Sequence, residues 1–109
     1  MKLSEDAFLA PEKFQEYLLK KLPDNDKSGF LASAGYTIEN WERLAFDVQK
    51  QLLPLDAARS RETLFGDLYE IHGVLAGPNG KSLKVVSIWM IESESKKTKF
   101  ITLYPEKEK

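Results

Sequence analysis

The chain contains no cysteine, which excludes disulfides and thiolate metal sites and fits a reducing compartment. It has one histidine, His72, and its carboxylates are scattered without ligand spacing. No metal and no cofactor is therefore expected. No apolar run approaches the roughly 20 residues that a membrane-spanning helix needs, so no membrane association is expected. The opening residues, Met1-Lys2-Leu3-Ser4-Glu5-Asp6, turn acidic too early for a signal peptide. The expected address is the cytoplasm. An excess of positive charge is also missing. Lysine plus arginine is 16, aspartate plus glutamate is 17, and the net charge is −1. A chain with that balance has no overall field drawing in a polyanion, so nucleic acid is not the expected partner.

What the chain does have is one strong turn signal. Gly77-Pro78-Asn79-Gly80 stands between two apolar runs. Proline presets φ for the second position of a tight turn, and Asn79 and Gly80 tolerate the left-handed conformations that close it. The same letters spell the G-x-x-G backbone clamp of a KH domain, but that clamp joins two helices and here both flanks read as strands. With 109 residues, one domain is expected over 1–105. Glu106-Lys107-Glu108-Lys109 alternates in charge and reads as a frayed tail.

Before the turn come two helices. The first begins at Pro11, a residue suited to the first helical position. Phe14, Tyr17, Leu18 and Leu22 recur at spacings of three and four and so share a face. Pro23 stops it. Asp24 to Gly35 reads as a loop with room for a short helical turn. The second helix has Thr37 as N-cap, with Tyr36 and Trp41 at the spacing of a hydrophobic staple. Trp41, Leu44, Val48 and Leu52 form its apolar stripe, and Pro54 closes it. Leu55 to Glu62 reads as a linker or short helix.

Three strands follow. The first, from about Leu64 to Ala76, alternates Tyr69, Ile71, Gly73 and Leu75 with Leu68, Glu70, His72 and Val74. The second is apolar on both faces, with Val85, Trp89 and Ile91 against Val86, Ile88 and Met90. Such a strand is expected to be central and covered on both sides. The third, Lys97 to Tyr104, alternates Phe100, Thr102 and Tyr104 with Ile101 and Leu103; Pro105 ends it. Met1–Leu9 is a candidate extra strand shielding the edge of the first. The expected fold is α+β: two N-terminal helices packed on one face of an antiparallel three- to four-stranded β-meander. The expected core contains Trp41, Leu44, Val48, Val86 and Trp89.

Several short motifs occur in a telling order. These are Lys13-Phe14-x-x-Tyr17-Leu18-Leu19, Gly35-Tyr36-Thr37, Gly77-Pro78-Asn79-Gly80, Val86-x-x-Trp89-x-Ile91 and Thr102-x-Tyr104-Pro105. In this order they resemble a family of small bacterial domains of uncharacterised activity, frequent in cyanobacteria. A fainter resemblance is to the barnase/EndoU/colicin/RelE-like group, in which two helices precede an antiparallel meander ending in Thr-x-Tyr-Pro. That resemblance implies a metal-independent ribonuclease, often a toxin, with His, Arg, Lys, Thr or Tyr on the sheet. Thr102 and Tyr104 match the terminal pattern, whereas the helical catalytic histidine of many such toxins has no counterpart here.

If the chain were such a ribonuclease, His72 would transfer the proton, Lys84 or Lys81 would stabilise the phosphorane, and Tyr104 would donate or align, with Thr102 as a further candidate. The reaction also needs a second titrating group and a cationic cradle, which the composition does not supply. The reading that composition favours is a protein-interaction module. It would act with a protein partner or as a homodimer, and one half of a bacterial toxin–antitoxin-like pair is one form this takes.

Overall fold

A computed structural model describes residues 1–24 and 26–107; the tail positions Glu108 and Lys109 lie outside the described residues. Four strands form one antiparallel meander in the order β1-β2-β3-β4: β1 (Ala58–Glu62), β2 (Gly66–Ala76), β3 (Ser82–Glu92) and β4 (Thr98–Pro105). All helices precede the sheet and pack on one face of it. The fold is α+β.

The first helix continues from Pro11 into a π-helical stretch, Lys13–Leu18. There each N–H reaches five residues back, as Leu19 does to Phe14 at 3.0 Å. The wider turn changes which residues share a face. Phe14, Leu18 and Leu19 are buried, whereas Tyr17, expected inside, is 59% exposed. The short helical turn allowed within Asp24–Gly35 is the helix Ser28–Ala32. The next helix is a 3₁₀ turn, Ile38–Asn40, an α-helical core, Trp41–Asp47, and a π-helical end, Val48–Leu52. Thr37 stands before it in extended conformation, and the Asn40 side-chain oxygen accepts the Thr37 N–H at 2.7 Å.

Val48–Leu52 packs over β2 at Gly73, where a side chain would run into Leu52 and Leu55. Leu44, Val48, Ile71, Leu75, Val85, Trp89, Phe100 and Leu103 fill the space between the layers. Trp89 is fully buried, edge-on to Phe100 at 5.1 Å, and Phe100 stacks on Phe14 at 5.3 Å. The Trp89 indole N–H donates to Ser87 Oγ (2.8 Å), and that hydroxyl donates to the Ile71 carbonyl (3.1 Å). A buried polar pair is thereby satisfied within the core. Trp41 is partly buried against this cluster, while Val86 is buried on the opposite face of the sheet.

Further expectations change at the sheet. Leu55–Glu62 contains a strand, β1, whose five residues are all exposed; a polar edge strand has no alternation to reveal it. The Met1–Leu9 segment does not lie along the first predicted strand, because β1 occupies that edge. Instead Met1 receives the Ala57 N–H (2.7 Å), and Phe8 bridges to Lys99 at the β4 edge. Finally, β3 is central, but among the described residues helices cover one face only. On the other face Ile88 and Met90 are half-buried and Val74 is 51% exposed.

Candidate functional site

The uncovered sheet face is where the chemistry-bearing residues meet. Its pattern depends on one irregularity. The β3–β4 register pairs Trp89 with Phe100 but Ile88 with Thr102, which leaves Ile101 as an extra residue in β4. Side chains alternate strictly along a strand, so one extra residue reverses the faces beyond it. Phe100 and Leu103 therefore both enter the core, and Thr102 and Tyr104 turn outward. The sequence alternation had grouped Phe100 with Thr102 and Tyr104; the bulge separates them.

Two rows then cross the outer face. His72, Val86 and Tyr104 form one, and Glu70, Ile88 and Thr102 the next. Lys84, paired with Val74, lies diagonally from His72. The four residues predicted for phosphoryl chemistry, His72, Lys84, Thr102 and Tyr104, thus share this face, as the pairing rows require. Lys81 lies outside the rows, in the turn before β3.

Sequence reasoning missed the carboxylates. His72 Nδ1 is 2.6 Å from Glu106 Oε1, and Nε2 is 3.1 Å from Glu70 Oε1. Ionised carboxylates only accept hydrogen bonds, so both contacts are satisfied together only by the imidazolium, which has two N–H groups. The Glu106 hydrogen bond foremost raises the His72 pKa above its ordinary value; burial opposes it, and the Glu70 hydrogen bond and the two carboxylate charges add to the rise. Partial burial and the nearby Glu70 charge push the Tyr104 phenol upward too. The Tyr104 phenol therefore keeps its proton near neutral pH, and both His72 nitrogens are engaged by carboxylates. The two carboxylates approach opposite ring nitrogens and do not converge on a point. Among the described residues no cluster of three or more His, Asp or Glu could hold a metal ion.

At the far end of the same sheet lies an apolar feature that the sequence also left unread. Leu64 and Phe65 were assigned to a strand; they sit in the β1–β2 turn, 93% and 77% exposed. The turn is tightly held. Thr63 N–H donates to the Gly66 carbonyl (2.9 Å), Ser93 N–H donates to the Phe65 carbonyl (2.9 Å), and the Thr63 hydroxyl oxygen accepts from the Phe65 N–H (3.2 Å). Gly66 lies so close to the Ile91 carbonyl that a Cβ would overlap it. Leu64 and Phe65 line a groove with Met90, Ile101, Glu92 and Lys99. Glu92 and Lys99 form an ion pair across it (3.2 Å).

The residues of the Gly77–Gly80 turn have a different role. Asn79 N–H and Nδ2 donate to the Ala34 and Ser33 carbonyls at 3.3 and 3.1 Å, so the turn docks on the end of the Ser28–Ala32 helix. Beside it, the buried Asp47 accepts from the Tyr36 hydroxyl (2.6 Å) and from Arg43 Nε (3.0 Å). Burial, then Asp47, pushes the Tyr36 phenol far above its ordinary pKa. Gln51 bonds both backbone groups of Ala76 (2.7 and 3.1 Å). These contacts fasten the β2–β3 turn to the helices.

A family model described as "Domain of unknown function (DUF6883)" matches residues 2–107. The chain belongs to the DUF6883 family. The match takes in the helices, the whole sheet and the outer face with its Leu64–Phe65 turn. No curated protein and no solved structure matches the chain.

Proposed function

We propose that this domain is a protein-interaction module, and that its partner docks on the open sheet face with Leu64 and Phe65 as anchors. One observation carries the reading: two large apolar side chains, 93% and 77% exposed, stand on a turn pinned by backbone hydrogen bonds. Holding such groups in water is unfavourable, and a rigid turn has little ordering entropy left to lose on binding. Large apolar anchors at the centre of a patch are the usual source of binding energy. The charges beside them, Glu92 and Lys99, already neutralise each other. The partner therefore has to supply an apolar pocket more than a complementary charge. A second copy pairing edge to edge fits less well. β1 carries Arg59, Arg61 and Glu62 and is bulged at Ser60, and β4 is capped near Lys99 by Phe8. Both devices discourage strand addition.

One half of a bacterial toxin–antitoxin-like pair is the form of this function that suits a small α+β domain. The test is to titrate the purified protein with the product of the adjacent reading frame, in wild-type form and as Leu64→Ser/Phe65→Ser. Binding by the wild type, weakened at least ~100-fold in the variant, is expected, since loss of anchor residues costs about 2 kcal/mol or more each. Equal affinity of both proteins would overturn the reading.

A metal-independent ribonuclease is the second reading, favoured by the convergence of His72, Lys84, Thr102 and Tyr104 on one face. Against it stand Glu70 and Glu106, which occupy both His72 nitrogens and repel a phosphodiester. The protein is expected to leave tRNA and single-stranded RNA intact without metal. Cleavage that disappears in His72→Ala would establish the enzyme.

A further inference from the structure

Glu106 and His72 belong to different parts of the sheet. His72 is on β2 and Glu106 follows β4, with β3 between them. Strands two apart are separated by about 9.5 Å. Nevertheless the two side chains meet at 2.6 Å, so they lean toward each other over β3. The backbone supports the approach: Glu106 N–H donates to the Lys84 carbonyl at 3.0 Å, continuing the β3–β4 ladder past Pro105. Beneath the crossing lies Val86, flanked by His72 and Tyr104. It is 4% exposed on a face that no helix among the described residues covers, while Val74, on the same face, is 51% exposed.

We infer that His72 and Glu106 form a pH-sensitive clasp that straps the segment after β4 across the outer face and roofs Val86. The titratable groups bordering the imidazole are Glu70 on β2, Lys84 on β3, and Tyr104 and Glu106 on and after β4. Only the imidazolium can donate to Glu70 and Glu106 at once. The neutral ring keeps one N–H, so one carboxylate is left facing a nitrogen lone pair. His72 has its folded pKa raised, chiefly by Glu106. The clasp is therefore fully formed below the ordinary histidine value of about 6.5 and weakens as pH rises through the higher folded value. This inference does not depend on which partner the domain binds.

The test follows the histidine ring and the Glu106 amide by NMR between pH ~5 and ~8. The ring of wild-type protein is expected to titrate above the ordinary value. Protection of the Glu106 amide, corrected for intrinsic exchange, and the Val86 methyl shifts are expected to change with the same midpoint. Glu106→Gln should lower the midpoint more than Glu70→Gln does. The wild-type titration needs no variant, and all substituted positions are on the surface. Glu106 protection that stays flat while His72 titrates, or a midpoint unmoved by Glu106→Gln, would overturn the clasp.

Discussion

Trp89 shows how a single residue ties the two layers together. It is fully buried, meets Phe100 edge-on and has its one polar atom satisfied by Ser87. Trp89→Ala empties a large aromatic site and is expected to cost ~3–5 kcal/mol in denaturant unfolding. A loss under ~1 kcal/mol would show that the side chain does not fill the interlayer space. This residue was legible because an aromatic in the middle of an apolar strand has few other places to go. Asp47 was not. It lies off the apolar stripe of its helix and reads as a solvated charge, yet it is buried with Tyr36 and Arg43 around it. Only the fold brings the Tyr36 hydroxyl to it. Glu106 is similar, since a carboxylate in a run of alternating charges gives no hint of an imidazole 34 positions earlier.

Among the elements, the Gly77-Pro78-Asn79-Gly80 turn was legible because turn chemistry is local. That it docks on the Ser28–Ala32 helix was not, since the docking depends on backbone groups that every residue possesses. Gly77 lies where a Cβ would overlap the Ala34 carbonyl oxygen. Gly77→Ala is therefore expected to force the turn away from the helix, at a cost of roughly 1–3 kcal/mol. Thermal or denaturant unfolding checks this, and an unchanged midpoint would mean that the turn is not fixed by that contact. The meander and the helix-before-sheet order were readable from periodicity. The β4 bulge and the strand β1 were not. A bulge is one residue of pairing, invisible to a period of two, and β1 is polar throughout. The bulge matters most, because it carries Thr102 and Tyr104 from the core side to the outer face.

At the level of the whole molecule, the two faces of the sheet are unequal. One is closed by the helices and by the Met1–Leu9 segment, which contributes Leu3 and Ala7 to the core. The other is open and half apolar. The same sequence feature, a β3 with apolar residues on both sides, predicted cover on both faces; the described residues supply only one. An uncovered apolar surface on a small domain marks a binding face more often than an idle one. The charge balance points the same way: a net charge of −1, with carboxylates on the only histidine, is a poor host for RNA. The most direct measurement is a hydrogen-exchange footprint of the protein bound to the adjacent gene product. The account predicts new protection at residues 64–66, at Met90–Ser93 and at Lys99–Ile101, with the exposed helical surface around Phe46 and Lys50 unchanged. Protection confined to the helices, with Leu64 and Phe65 exchanging as in the free protein, would contradict it.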